Sequence, residues 1–186
     1  MKIAVIDFES RFTKDILDKL EQIGVDHYLF RYDVSADEVK DYDALIFTGS
    51  YDTVYDGGRL PDPSIMESNK PILGICYGHQ LVHYLLGGQV KRALHPEIEV
   101  VEIEVFNSEL FDNFPSKMKV EMHHYDEVTE MAEGFKCIAT GKNCKYCASE
   151  NTEKNIYTVQ FHPEAKGNDL GIEVFENFIR ILKKNI

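Results

Sequence analysis

Apolar runs that read as strands alternate along this chain with amphipathic stretches that read as helices. Residues 2–6 form an apolar run closed by Asp7, which predicts a buried strand. Ile16, Leu17, Leu20 and Ile23 then recur on one helical face, and Gly24 supplies the stop. Residues 26–30 and 44–48 predict two more strands, the latter running straight into Gly49 and Ser50. Residues 51–63 are rich in Asp, Gly and Pro and predict a loop that lines or covers a site. A fourth buried strand is expected at 72–75. The helix after Cys76 carries Leu81, Val82, Leu85 and Leu86 until Gly87-Gly88 ends it.

The second half is richer in strands. Residues 100–105 alternate with Glu102 and Glu104, the pattern of a strand with one wet face. Residues 120–123, 136–139 and 156–161 are further strand candidates. The chain closes with an amphipathic helix over about 170–183, with Ile172, Val174, Phe175, Phe178, Ile179 and Leu182 as its apolar face. Lys183 and Lys184 suit the negative end of that helix. This alternation predicts an α/β fold, a single domain over 1–186 with an open, mainly parallel twisted sheet and helices on both faces.

Composition narrows the class of protein. A length of 186 residues allows a sizeable core, and 44% hydrophobic residues is ordinary for a globular domain. The net charge of −12 argues against a nucleic-acid or anionic-membrane surface. No stretch approaches the roughly 18 apolar residues of a membrane span. The N-terminus turns acidic at Asp7, too soon for a signal peptide. Four cysteines without a secretory signal predict free thiols in the cytoplasm.

Two segments carry the chemistry. Gly74-x-Cys76-x-Gly78 has the spacing of a nucleophile elbow, a tight strand-to-helix turn where a side chain on either flank would clash. A thiol there lies at a helix N-terminus, where backbone N–H groups favour a thiolate. The Tyr77 N–H is placed to bind an oxyanion, with a second donor expected around Gly49 and Ser50. His162-Pro163-Glu164 follows another predicted strand. His162 is the candidate base, Glu164 the carboxylate that orients it, and Pro163 stops a helix from forming between them. Groups at the carboxyl ends of parallel strands converge, so Cys76 and His162 are expected to meet.

The runs Pro-Ile-Leu-Gly-Ile-Cys-Tyr-Gly-His-Gln at 71–80 and Val-Gln-Phe-His-Pro-Glu at 159–164 resemble the class I (triad-type) glutamine amidotransferase family. The likeness extends over nearly the whole chain. Gly87-Gly88-Gln89-Val90, Leu110-Phe111, Gly171 and Asn177-Phe178 fit it as well. His124-Tyr125-Asp126-Glu127-Val128 looks like the His-x-Asp-x-Val segment of the GMP synthase branch, and the chain is most similar to the separate archaeal-type glutaminase subunit.

The resemblance implies a flavodoxin-like class I glutaminase fold. It implies Cys76, His162 and Glu164 as a triad that hydrolyses glutamine through a thioester, with Gly49, Ser50 and Tyr77 around the oxyanion. It implies that Gln80 and His124 contact the substrate and that His124 and Asp126 face a partner. That partner would be a separate ATP-pyrophosphatase (synthetase) chain that aminates XMP, and it would bind the ATP and Mg; this chain itself calls for no cofactor. The chain departs from the family at Thr48-Gly49-Ser50-Tyr51, commonly Ser-Gly-Gly-Pro, and at Asp7-Phe8-Glu9-Ser10-Arg11. It departs again at His123, usually serine in this branch, and at Ala165-Lys166-Gly167-Asn168. A divergent amidotransferase serving another synthetase, a stand-alone γ-glutamyl hydrolase and an inactive binding protein on the same fold are the competing readings.

The remaining motifs are read structurally. Cys144-x-x-Cys147, with Cys137 upstream, has the spacing of two zinc ligands but lacks a second pair, so a hairpin turn without metal is expected. His95-Pro96-Glu97 repeats the His-Pro-Glu tripeptide without an apolar strand before it and predicts a loop. His27 and His83 are expected on the surface.

Overall fold

The central strands are apolar at every position, as strands covered on both faces must be. In the computed structural model, which describes residues 1–184, the elements run β1 (Lys2–Asp7), α1 (Thr13–Ile23), β2 (Asp26–Arg31), β3 (Ala44–Phe47), α2 (Ser64–Glu67), β4 (Ile72–Ile75) and α3 (Tyr77–Leu85). They continue β5 (Gln89–Glu97), β6 (Val100–Val105), β7 (Lys117–Glu121), β8 (His124–Glu130), β9 (Lys136–Gly141), β10 (Ala148–Asn151), β11 (Ile156–Val159) and α4 (Gly171–Lys184). Residues 185 and 186 of the expected domain lie outside the described residues.

One large sheet has the order β2-β1-β3-β4-β11-β10-β9-β6-β7. Its first five strands are mutually parallel, β10 reverses, and the rest alternate, so β9 and β7 again point the same way as β1. The fold is single-domain α/β with a mainly parallel sheet. Strand β1 shows why two cores form. Ile3 and Val5 point into one, with Ile16 and Leu20 of α1 and Val174, Phe175 and Phe178 of α4. Ala4 and Ile6 point into the other, with Ile65 of α2 and Leu81 and Val82 of α3. Helices therefore cover both faces. Gly24 ends α1 in the left-handed region at φ 77°, as its position predicts. No described helix is long and apolar enough to cross a membrane.

Several boundaries differ from the sequence reading. His95-Pro96-Glu97 is no loop but the end of β5, which pairs only with β8 in a separate two-stranded ribbon. The register slips between Arg92 and Glu97, and that irregularity hides the strand's period. The apolar run at 156–161 leaves the sheet at Val159, and the strand expected at 120–123 ends at Glu121. His83 is fully buried instead of exposed, whereas Leu85 is exposed and Ile172 only partly covered. Burial pushes His83 down to about 4. It accepts a hydrogen bond from the Ala132 N–H and pairs with Ser149 Oγ. Cys144 and Cys147 lie in the predicted turn, between the antiparallel strands β9 and β10, and the Cys147 thiol donates to the Cys144 carbonyl.

Candidate active site

Strand β4 delivers Cys76 to the carboxyl edge of the parallel sheet, where α3 begins. Cys76 has φ 53° and ψ −103°, a conformation that L residues rarely adopt and that costs on the order of 1–3 kcal/mol. Three backbone hydrogen bonds hold the turn. The Cys76 N–H donates to the Val159 carbonyl at 2.8 Å, Gly78 to Thr48 at 3.1 Å, and Gln80 to Cys76 at 3.1 Å. Both glycines are required by close approach. A Cβ on Gly74 would lie 2.7 Å from the Gly78 oxygen, and one on Gly78 2.6 Å from the Phe47 oxygen. The helix start is thus pressed onto β3 and β4, which leaves Cys76 as the residue that must take the strain.

Strand β11 ends early enough for the chain to turn His162 towards Cys76. The His162 N–H donates to the Glu121 carbonyl at 2.9 Å, and Asn168 Nδ2 donates to the His162 and Ala165 carbonyls at 2.6 and 2.8 Å. His162 Nδ1 lies 2.6 Å from Glu164 Oε1, with both side chains buried. Burial alone would lower the imidazole, but the charges of Glu164 and Cys76 and its hydrogen bonds to both outweigh it and hold His162 up at about 10. The Cys76 thiol also reaches the His123 carbonyl, at 3.5 Å. A Cβ on Gly49 would lie 3.0 Å from His162 Cε1 and 3.7 Å from Cys76 Cβ, so the end of β3 closes against both.

The N–H groups of Ser50 and Tyr77 have no protein acceptor among the described residues. Ser50 does not adopt positive φ, so the departure from glycine there introduces no backbone strain. The Tyr77 ring turns away from the site to pack on Phe8 at 5.4 Å, and its hydroxyl donates to the Arg59 carbonyl.

Gln80, His124 and Asp126 all border a cleft of about 160 Å³ that opens over Cys76. Their polar atoms are largely engaged inside the protein. Gln80 Nε2 donates to the Asp126 carbonyl at 2.8 Å and to Gln160 Oε1 at 3.1 Å. His124 pairs with the Asp126 carbonyl at 2.9 Å and with buried Glu97 at 3.2 Å. Asp126 accepts from Tyr55 at 3.0 Å. The alternation of β8 turns His124 and Asp126 inward, and Tyr125 is the side chain that this segment presents outward, 48% exposed.

Sequence reading missed the β1–α1 turn as part of the site. Asp7 Oδ1 accepts from the N–H groups of Glu9 and Ser10 and from Thr13 Oγ1, which fixes the turn. Phe12 then packs 4.6 Å from the His162 ring and 5.2 Å from that of His123. The only sequence signal was the departure from a glycine-containing turn at 7–11. Chemically, the arrangement offers a sulfur nucleophile and a buried imidazole beside a carboxylate at one small cleft, with backbone N–H groups unpaired among the described residues at Ser50, which borders it, and at Tyr77, next to Cys76.

The family model for class-I glutamine amidotransferases matches residues 4–182. Among curated relatives, "GMP synthase [glutamine-hydrolyzing]" of Macrococcus caseolyticus is 38% identical over 98% of this chain, and that of Lactobacillus gasseri is 40% identical over 95%. The chain spans only 36% and 35% of those two proteins. The crystal structure of a candidate GMP synthase subunit from Thermoplasma acidophilum superposes with a TM-score of 0.92 at 29% identity, covering 100% of this chain and 95% of that one. A Thermotoga maritima glutamine amidotransferase, 18% identical, shares the fold at a TM-score of 0.73, covering 100% of this chain and 83% of that one. Sequence and fold agree over nearly the full length, and the chain belongs to the class-I glutamine amidotransferase family.

Proposed function

We propose that this chain is a cytoplasmic glutaminase subunit that releases ammonia from glutamine for a separate synthetase subunit, in the synthesis of GMP from XMP. The observation that carries the reading is the meeting of a strained Cys76 with the His162–Glu164 pair at one cleft. In this mechanism Cys76 Sγ attacks the side-chain amide carbon of glutamine. The oxyanion that forms is received by the N–H groups of Ser50 and Tyr77. Protonated His162 gives its proton to the leaving nitrogen, and ammonia departs to leave a γ-glutamyl thioester. Neutral His162 then takes a proton from water as its oxygen attacks the thioester, and glutamate is released with the thiol restored. Glu164 holds the imidazole in one orientation throughout.

The synthetase reading is supported by relatives named GMP synthase, of which this chain matches about a third. The test is GMP formation from XMP, with glutamine as nitrogen donor, when the chain is mixed with ATP, Mg²⁺ and an ATP-pyrophosphatase subunit. Glutamine-dependent GMP that disappears in Cys76→Ala is the expected result. Vigorous glutamine hydrolysis that ignores the partner would replace this reading with a stand-alone hydrolase.

A further inference from the structure

The cleft is bordered by two cations, Arg11 and Arg92. Arg92 lies 3.7 Å from Asp126 and over the Tyr125 ring. Nearby Arg59 is taken up by Glu9 and Asp52. Arg11 has no carboxylate partner among the described residues, although the chain carries a net charge of −12. Its guanidinium is nevertheless held in place. Nη2 lies 3.0 and 3.2 Å from the ring nitrogens of His123, and the group stands 4.4 Å over the Phe12 ring.

His123 is anchored in turn, with Nε2 2.8 Å from Glu121 Oε1. A carboxylate can only accept and a guanidinium only donate, so the tautomer that satisfies both contacts carries its proton on Nε2 and accepts from Arg11 at Nδ1. Glu121 Oε2 accepts the Gly167 N–H at 2.9 Å, and the Glu121 carbonyl holds the His162 N–H. The His123 carbonyl faces Cys76 Sγ. One residue, His123, therefore separates the nucleophile from an oriented cation that no carboxylate touches directly among the described residues.

We propose that Arg11 receives the α-carboxylate of the substrate, so that the site selects amino-acid amides over amides without a carboxylate. The inference rests on the amide hydrolysis at Cys76 proposed above. A glutamine whose amide carbon sits on Cys76 carries its carboxylate at the far end of its side chain, and Arg11 borders the same cleft as Cys76. A guanidinium is suited to the role because it holds a carboxylate in a bidentate, charge-assisted geometry.

The test compares ammonia release from L-glutamine and from 4-aminobutanamide, which is glutamine without its carboxylate. It uses wild type, Arg11→Gln and Arg92→Gln, each in the presence of the synthetase and its nucleotide substrates. Glutamine binding to Cys76→Ala and to Cys76→Ala/Arg11→Gln, followed by calorimetry, reads recognition without turnover. Arg11→Gln should raise KM for glutamine about 10- to 100-fold with kcat kept within a few-fold, leave the carboxylate-free amide unaffected and weaken binding by a similar factor. Unchanged discrimination in Arg11→Gln, or its collapse in Arg92→Gln alone, would overturn the assignment while leaving the glutaminase reading intact. A wild type that hydrolyses neither amide would sink the underlying reading and this inference with it.

Discussion

His162 Nδ1 and Glu164 Oε1 lie 2.6 Å apart across a single proline, both nearly inaccessible to water. Two residues so close in sequence face each other because the strand ends at Val159 and Asn168 staples the turn that follows. The carboxylate, with Cys76, keeps the imidazole protonated far above its ordinary range, up to about 10. Glu164→Gln removes the first of those charges. Glutamine hydrolysis should fall on the order of 100-fold or more, with KM little changed. Steady-state kinetics beside a fold check by circular dichroism decides it, and retention of most of the activity would remove Glu164 from the mechanism.

The same pair makes stability depend on alkaline pH. The folded His162 stands at about 10 against about 6.5 in an unfolded chain, so its stabilisation is complete below about 6.5 and is lost as pH rises towards 10. Buried His83 acts in the opposite sense. Its folded value of about 4 lies below the unfolded one, so its contribution is present above about 6.5 and is lost as pH falls towards 4. Urea midpoints across pH 4–10 should drop at both ends. Glu164→Gln should flatten the alkaline limb and His83→Gln should make the acid one shallower, the rest coming in the same sense from buried His79, which burial also pushes down. A wild-type curve unchanged between pH 6.5 and 10 would contradict the His162 assignment.

Gly78 is the tightest packing point of the elbow. Gly78→Ala should destabilise the chain by about 2–3 kcal/mol, because the new methyl group meets the Phe47 backbone at 2.6 Å and rigid strand cannot yield cheaply. Gly49→Ala meets the His162 ring at 3.0 Å instead, so it should lower activity more than stability. Chemical denaturation beside turnover separates the two, and equal stability losses would count against this division.

Ser50 stands where the family commonly has glycine, yet its backbone is not in the left-handed region. Ser50→Gly should therefore leave kcat/KM within about 2-fold, since in the proposed mechanism its N–H would receive the oxyanion as well as that of glycine. A gain of 10-fold or more would show that the serine side chain impairs the site.

The parts of this protein that were legible in sequence are those fixed by local geometry. The elbow announced itself because tight strand–helix contact demands glycine at 74 and 78, and the buried parallel strands announced themselves as unbroken apolar runs. What escaped was set by tertiary contact. The segment Ala148–Asn151 reads as polar, yet all four residues are buried as β10, with Glu150 bonded to Ser108 and Ser149 to Thr158. His83 looked like a surface residue because its partners, Ser149 and Ala132, lie 66 and 49 residues away. Strand β5 was hidden by Pro96 and a register slip, although Glu97 at its end is buried against His124. Arg11 and Phe12 gave no periodic signal, since only the folded turn brings Phe12 against His162 and Arg11 to the cleft.

The central claim is covalent chemistry at Cys76, and the most direct measurement is the intact mass of the chain after exposure to a diazoketone analogue of glutamine. The account predicts a single adduct, mapped to Cys76 by peptide sequencing, prevented by excess glutamine, and absent from Cys76→Ala. Labelling on Cys137, Cys144 or Cys147 that glutamine does not prevent, with Cys76 untouched in the folded chain, would contradict it.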